Sequence, residues 1–167
     1  RLTPLQKGLI AGGVILFLLP LALYLPTMHG ASPEAEVEKT FRNLVRFAEK
    51  RQHESMAAHV SDDYDGLVMD NRENLLKFTE HVFDNIEDLD VKILTLNVTM
   101  SDGGAAELDS AFEASGWWVG SSLYNRVPLS GGMPRPVGGR IRMRFRSEEG
   151  LWRMIHGEVE MEGYSSP

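Results

Sequence analysis

The chain is 167 residues long, with 17 Lys and Arg against 24 Asp and Glu, a formal charge of −7, and no cysteine. That acidic balance argues against a nucleic-acid partner and against tight association with an anionic lipid surface, both of which reward basic patches. The absence of thiols excludes disulfides and cysteine ligands and is compatible with an oxidising compartment.

Residues 8–26, GLIAGGVILFLLPLALYLP, form 19 consecutive positions without a charge. As a helix they reach about 28 Å, close to the ~30 Å hydrocarbon thickness of a bilayer, which predicts a single transmembrane anchor. The run is longer than a signal-peptide core, and its exit, Leu25 to Gly30, offers no small-x-small cleavage site. Arg1 and Lys7 precede it, whereas Glu34, Glu36 and Glu38 come after it. The positive-inside rule then puts the N-terminus in the cytoplasm and the rest outside, which in a bacterial cell means the inner membrane and the periplasm. Gly8 and Gly12, four apart, supply a small-residue face for packing on another membrane helix. Pro20 is expected to kink the outer half. The organisation expected is therefore residues 1–30 as cytoplasmic start and anchor, and 31–167 as one soluble domain. That domain holds all 24 carboxylates and all but two of the basic residues, a formal charge of −9.

Ser32-Pro33-Glu34 opens the soluble part with a capping hydroxyl, a first-turn proline and a negative charge near the positive end of a helix dipole. Val37, Phe41, Leu44, Val45 and Ala48 then recur at helical spacing, predicting an amphipathic helix to about Lys50. A short helix over His53 to Val60 comes next, broken by Ser61-Asp62-Asp63-Tyr64-Asp65-Gly66. Asp70 and Glu73 read as a capping box before a third helix with Leu75, Leu76, Thr79, Val82, Phe83 and Ile86 on one face. After Asp90 the period becomes two. Leu94, Leu96, Val98 and Met100 alternate with Ile93, Thr95, Asn97 and Thr99, and Ser101 to Gly104 turns the chain. A second strand covers Ala106 to Glu113. The third, 139–147, points Ile141, Met143 and Phe145 one way and Arg140, Arg142, Arg144 and Arg146 the other. The last runs from Leu151 to Met161. Three helices and then four strands predict an α+β domain with helices on one face of a curved antiparallel sheet.

That order, ending in Gly150-Leu151-Trp152-Arg153-Met154-Ile155-His156, resembles the NTF2-like superfamily, also called the SnoaL-like or cystatin-like fold, over about residues 33–161. The resemblance implies a cone-shaped domain whose open end can hold a small molecule, and in whose enzymes Asp, His or Tyr side chains act inside the cone. The departure is 115–138, which holds Trp117, Trp118, Tyr124 and three prolines, and which is expected as an inserted loop that caps the cone or contacts a partner.

Tyr64, His81 and His156 are the pocket candidates on that reading, with His156 alternating with Trp152 and Met154 toward the interior. Asp62, Asp63 and Asp65 read as a solvated break. No metal or cofactor is expected, because no two histidines share ligand spacing and His81 with Asp84 is an isolated pair. Asn97-Val98-Thr99 matches a glycosylation sequon but sits inside a strand pattern. The arginine row has carboxylates on both neighbouring strands and reads first as cross-strand pairing, with Arg140, Arg142 and Arg144 as interaction candidates beside it. Trp117, Trp118 and Tyr124 are candidates for an interface, since such side chains combine large apolar area with a polar tip.

The function expected from these signals is a non-catalytic accessory or scaffold subunit of a larger membrane complex. The architecture is similar to that of the single-span NTF2-like subunits of type IV secretion channels. A respiratory or photosynthetic complex suits the same design. The alternative is a membrane-tethered binder or enzyme for a small molecule. A pocket in which Tyr64, Trp117 and His156 converge favours the alternative, and an interior filled by Phe, Met and Leu favours the scaffold.

Overall fold

A computed structural model describes residues 31–67, 69–119, 126–131 and 134–162. The expected anchor at 8–26 with Gly8 and Gly12, and Tyr124, lie outside the described residues. Among the described residues no helix is long and apolar enough to cross a membrane.

Helix α1, Pro33–Glu49, carries Glu34 and Glu36 in its first turn and buries Val37, Thr40, Phe41 and Leu44. These positions repeat at three and four residues, so one stripe meets the sheet. Helix α2, His53–Ala57, is a single short turn tied to α3, Arg72–Asn85, by His53 Nε2, 3.0 Å from the Leu76 carbonyl oxygen. Arg72 adds donations to the carbonyls of Val60 and Ala57. The cap of α3 is Asn71, not Asp70. Asn71 is extended, at φ −156° and ψ 167°, and its side chain accepts the Asn74 N–H at 2.9 Å. Asp70 sits one residue too early and instead accepts from the side-chain amides of Asn71 and Asn74.

Five strands complete the domain: β1 Ile86–Met100, β2 Ala105–Val119, β3 Arg126–Pro128, β4 Val137–Glu148 and β5 Leu151–Met161. The sheet order is β1-β2-β4-β5, antiparallel throughout, with β3 added beside the end of β2. The expected count of four missed β3. It also placed Trp117 and Trp118 in a loop, whereas β2 continues to Val119 and pairs there with both β1 and β3. Strand β1 likewise begins at Ile86, directly after α3, rather than beyond Asp90.

Two extra residues reset which side chains face inward. Ile93 lies opposite Phe112 and Thr95 opposite Ala111, so Leu94 is an unpaired extra residue and is 47 % exposed. Ile93 therefore joins Leu96, Val98 and Met100 on the inner face, against the simple alternation expected. In β5, Met154 lies opposite Phe145 but His156 lies opposite Arg144, so Ile155 is extra and the alternation reverses. Such bulges insert one residue and re-aim the side chains beyond it.

The core forms where α1 crosses the inner face. Val37, Phe41 and Leu44 pack with Ala106, Leu108, Phe145, Trp152 and Met154, joined by Val60 and Tyr64. Phe145 is fully buried. Trp152 Nε1 donates to the Glu36 carboxylate at 3.1 Å, fixing the start of α1 over the start of β5. The free edge of β5 is sealed by the chain after α2. Met154 N–H donates to the His59 carbonyl, Ser61 N–H to that of Met154, and Asp65 N–H to that of Ile155.

Candidate functional site

The outer face of the sheet carries most of the candidate residues. Because β4 alternates strictly, Arg140, Arg142 and Arg144 stand in one row while Ile141, Met143 and Phe145 face inward. The register sets Glu107 opposite Arg144 and Asp109 opposite Arg142 on one side, and His156, Glu158 and Glu160 opposite Arg144, Arg142 and Arg140 on the other. Arg140 grips Asp109 with two bonds, Nε to Oδ1 at 2.7 Å and a terminal nitrogen to Oδ2 at 2.6 Å. Arg142 lies 3.8 Å from Asp109, 3.7 Å from Glu158 and 3.4 Å from Glu160, and Arg144 3.5 Å from Glu107. The hydrogen bond from Arg140 holds the Asp109 carboxyl below its usual range, and the same contact raises Arg140. These guanidinium groups are about half exposed, so the lattice orders the face more than it stabilises the fold.

Between the rows lies a hollow of about 290 Å³, lined by Asn97 and Thr99 of β1, Glu107 and Asp109 of β2, Arg142 and Arg144 of β4, and His156 and Glu158 of β5. His156 belongs here and not in the interior, because the Ile155 bulge turns it outward. Its Nε2 lies 3.1 Å from Glu158 Oε1, and its Nδ1 contacts the Asp65 carbonyl.

The other two pocket candidates are elsewhere. Tyr64 is 6 % exposed and is part of the core, with its phenol over Gly66 and close to Gly157. A Cβ on Gly66 would fall 2.2 Å from the Tyr64 hydroxyl, so a side chain there would force the Tyr64 ring to move. Burial pushes the Tyr64 phenol up, and the neighbouring Asp65 carboxylate adds to it. His81 is exposed on α3, 6.2 Å from the Trp118 ring between centroids. Tyr64, His81 and His156 thus do not converge. Among the described residues, no group of three or more His, Asp or Glu is placed to hold a metal ion.

A second surface lies at the far end of β2. Adjacent strand residues face opposite sides, so Trp118 turns to His81 while Trp117 turns to Arg126, whose guanidinium carbon is 5.3 Å from the ring centroid. Arg126 also meets Glu87 and Asp88, each at 2.9 Å. Trp117 lines a hollow of about 310 Å³ with Asp88, Pro128, Pro134, Arg135 and Pro136. Both tryptophans are half-buried.

Asn97 and Thr99 were not among the candidates from sequence: the alternation of β1 places them on the polar face, but only the pairing of β1 with β2 brings them beside Glu107 and Asp109. The clamp of Ser61 and Asp63 with Arg146 and Glu148 was also missed, because its two halves are more than 80 residues apart and share no motif.

No family model matches the chain, and no curated protein matches it. Solved structures do share its fold. A protein from Streptomyces avermitilis, described as a candidate dehydratase of the NTF2-like family, superposes with a TM-score of 0.64 at 10% identity, over 77% of this chain and 95% of that one. A protein from Caulobacter vibrioides with a cystatin-like fold gives 0.63 at 14% identity, over 78% and 90%. A candidate scytalone dehydratase from Novosphingobium aromaticivorans gives 0.62 at 11% identity, over 80% and 88%. At these identities the likeness establishes an α+β fold of the NTF2-like, cystatin-like kind.

Proposed function

We propose that this chain is a non-catalytic docking subunit of a larger membrane assembly, anchored by residues 8–26 and presenting its NTF2-like domain outward. The observation that carries this reading is the division of the sheet. Its inner face is occupied by Val37, Phe41, Leu44, Leu108, Phe145 and Met154, with Tyr64 packed among them. Its charged groups stand outside, around the hollow lined by Glu107, Asp109, Arg142, Arg144, His156 and Glu158. Partly satisfied charges of both signs suit a partner of complementary pattern, since such patterns set orientation and exclude wrong partners. The Trp117–Arg126 end adds an aromatic anchor of the type enriched in interfaces.

The experiment is extraction of the native membrane in mild detergent, capture of this chain and mass spectrometry of its companions. Stoichiometric membrane subunits are expected with the wild type. Recovery should drop at least about tenfold with Arg142→Glu and Arg144→Glu combined, which place carboxylates among carboxylates. Both side chains are about half exposed, so the fold should persist. Recovery of the chain without companions refutes the reading. It would move attention to a small-molecule role, for which the support is that two fold neighbours are described as candidate dehydratases.

A further inference from the structure

The two edges of the sheet are treated differently. The β5 edge is covered by residues 59–65. On β1, the first half of the edge is guarded in several ways. A register shift spans Glu87 to Asp90 with Asp88 at φ 52°, Glu49 of α1 accepts the Val91 N–H at 3.0 Å, Asp90 brings a charge, and Leu94 bulges. These are the usual devices that stop one sheet from pairing with another.

The second half has none of them. Thr95 to Met100 contains no charge, proline or glycine, and it runs in unbroken register against Ala111 to Ala106 of β2. Among the described residues no strand pairs with its outer side. Thr95, Asn97 and Thr99 are exposed, while Leu96 and Val98 are only half-buried. A flat, uncharged edge of six residues is a template for strand addition.

We propose that the occupant is a second copy of this chain, paired antiparallel along Thr95–Thr99 about a twofold axis at Asn97, so that two sheets become one. Charge selects both the partner and the direction. Lys92, exposed and only loosely held at 3.9 Å from Glu113 within its own chain, precedes the segment, and Asp102 lies just beyond it. Antiparallel pairing brings Lys92 of each copy toward Asp102 of the other at both ends, whereas parallel pairing sets like beside like. The side chains match themselves as well. Thr95 meets Thr99, Asn97 meets Asn97, and Leu96 meets Val98 on the inner face; hydroxyl, amide and aliphatic pairs of this kind all favour a sheet. An axis perpendicular to the sheet keeps inner residues inside, as an isologous dimer requires. This pairing stands independently of the docking function above.

The test uses the full chain in mild detergent, with its assembly state read by sedimentation. The wild type is expected to be a dimer. Asn97→Asp sets two carboxylates face to face and Asn97→Lys two ammonium groups, so each should raise the dissociation constant at least about tenfold. Mixing the two variants should restore a one-to-one heterodimer. Asn97→Cys introduces the chain's one cysteine, and it should form an inter-copy disulfide on mild oxidation. Unchanged thermal melts of the domain separate loss of pairing from loss of fold. A monomeric wild type overturns the proposal. So does a dimer indifferent to both charges, a mixture that stays monomeric, or an Asn97→Cys variant that does not cross-link.

Discussion

Glu148 gathers three parts of the chain. Its Oε1 accepts from Ser61 Oγ at 2.7 Å and from Arg146 Nε at 3.0 Å, and its Oε2 lies 3.5 Å from Arg153. The Ser61 hydrogen bond, and after it that of Arg146, holds its carboxyl below the usual range. A carboxyl depressed in the folded state stabilises the protein above its ordinary unfolded value, and the contribution disappears as pH falls through the folded one. The melting temperature should therefore drop between about pH 6 and about pH 3, and Glu148→Gln should flatten part of that slope. A slope identical in the variant would show that the carboxylate contributes nothing. The remaining slope is assigned to Asp109, held low by Arg140, and to Glu73, held low by its hydrogen bond to Lys77. None of the clamp was legible in sequence, because 87 residues separate Ser61 from Glu148 and neither stands in a pattern. That the arginine row faces carboxylates was legible, because strict alternation fixes which charges share a face; that Arg140 takes Asp109, which the register sets opposite Arg142, was not.

Among the elements, strand β4 shows how tightly one position is set. Phe112 leans across Gly139, where a Cβ would lie 2.6 Å from the Phe112 ring and 2.7 Å from the Glu160 carbonyl oxygen. The second contact is backbone and cannot swing away. Gly139→Ala should destabilise the domain by roughly 1–3 kcal/mol, measured by urea unfolding; a change under about 0.5 kcal/mol would mean that β4 and β5 separate freely there. Helix α1 and strand β4 were legible because each keeps one period from end to end. Strands β1 and β5 were legible as strands but not by face. Leu94 and Ile155 look like ordinary strand residues, and only pairing with a neighbour reveals that each is surplus. The same limit hid the extension of β2: Gly116 and two adjacent tryptophans, ahead of a proline-rich stretch, resemble a loop until β3 supplies hydrogen bonds.

Over the whole molecule, the α+β architecture was legible because its core is built from complete periodic elements, and the NTF2-like likeness rests on their order. The site was legible only in part: the arginine row follows from the alternation of β4, whereas His156 joins it through a single bulge that moves it from inside to outside. Closure of the core depends on the two ends of the domain meeting: Val60 bridges to Met154, and Trp152 bonds to Glu36. A chain ending at Gly150 lacks the strand that completes both contacts. It should show no cooperative thermal transition, and a native-like transition in that truncation would contradict the central place given to β5. These long-range contacts also set a timetable. During synthesis α1 and residues 59–65 emerge well before their partners on β5, so the part of the core that Trp152 and Met154 fill stays open until the last strand is delivered. A nascent chain crossing a membrane from its N-terminus would remain dependent on holding factors until nearly its final residues, and folding would finish only at release.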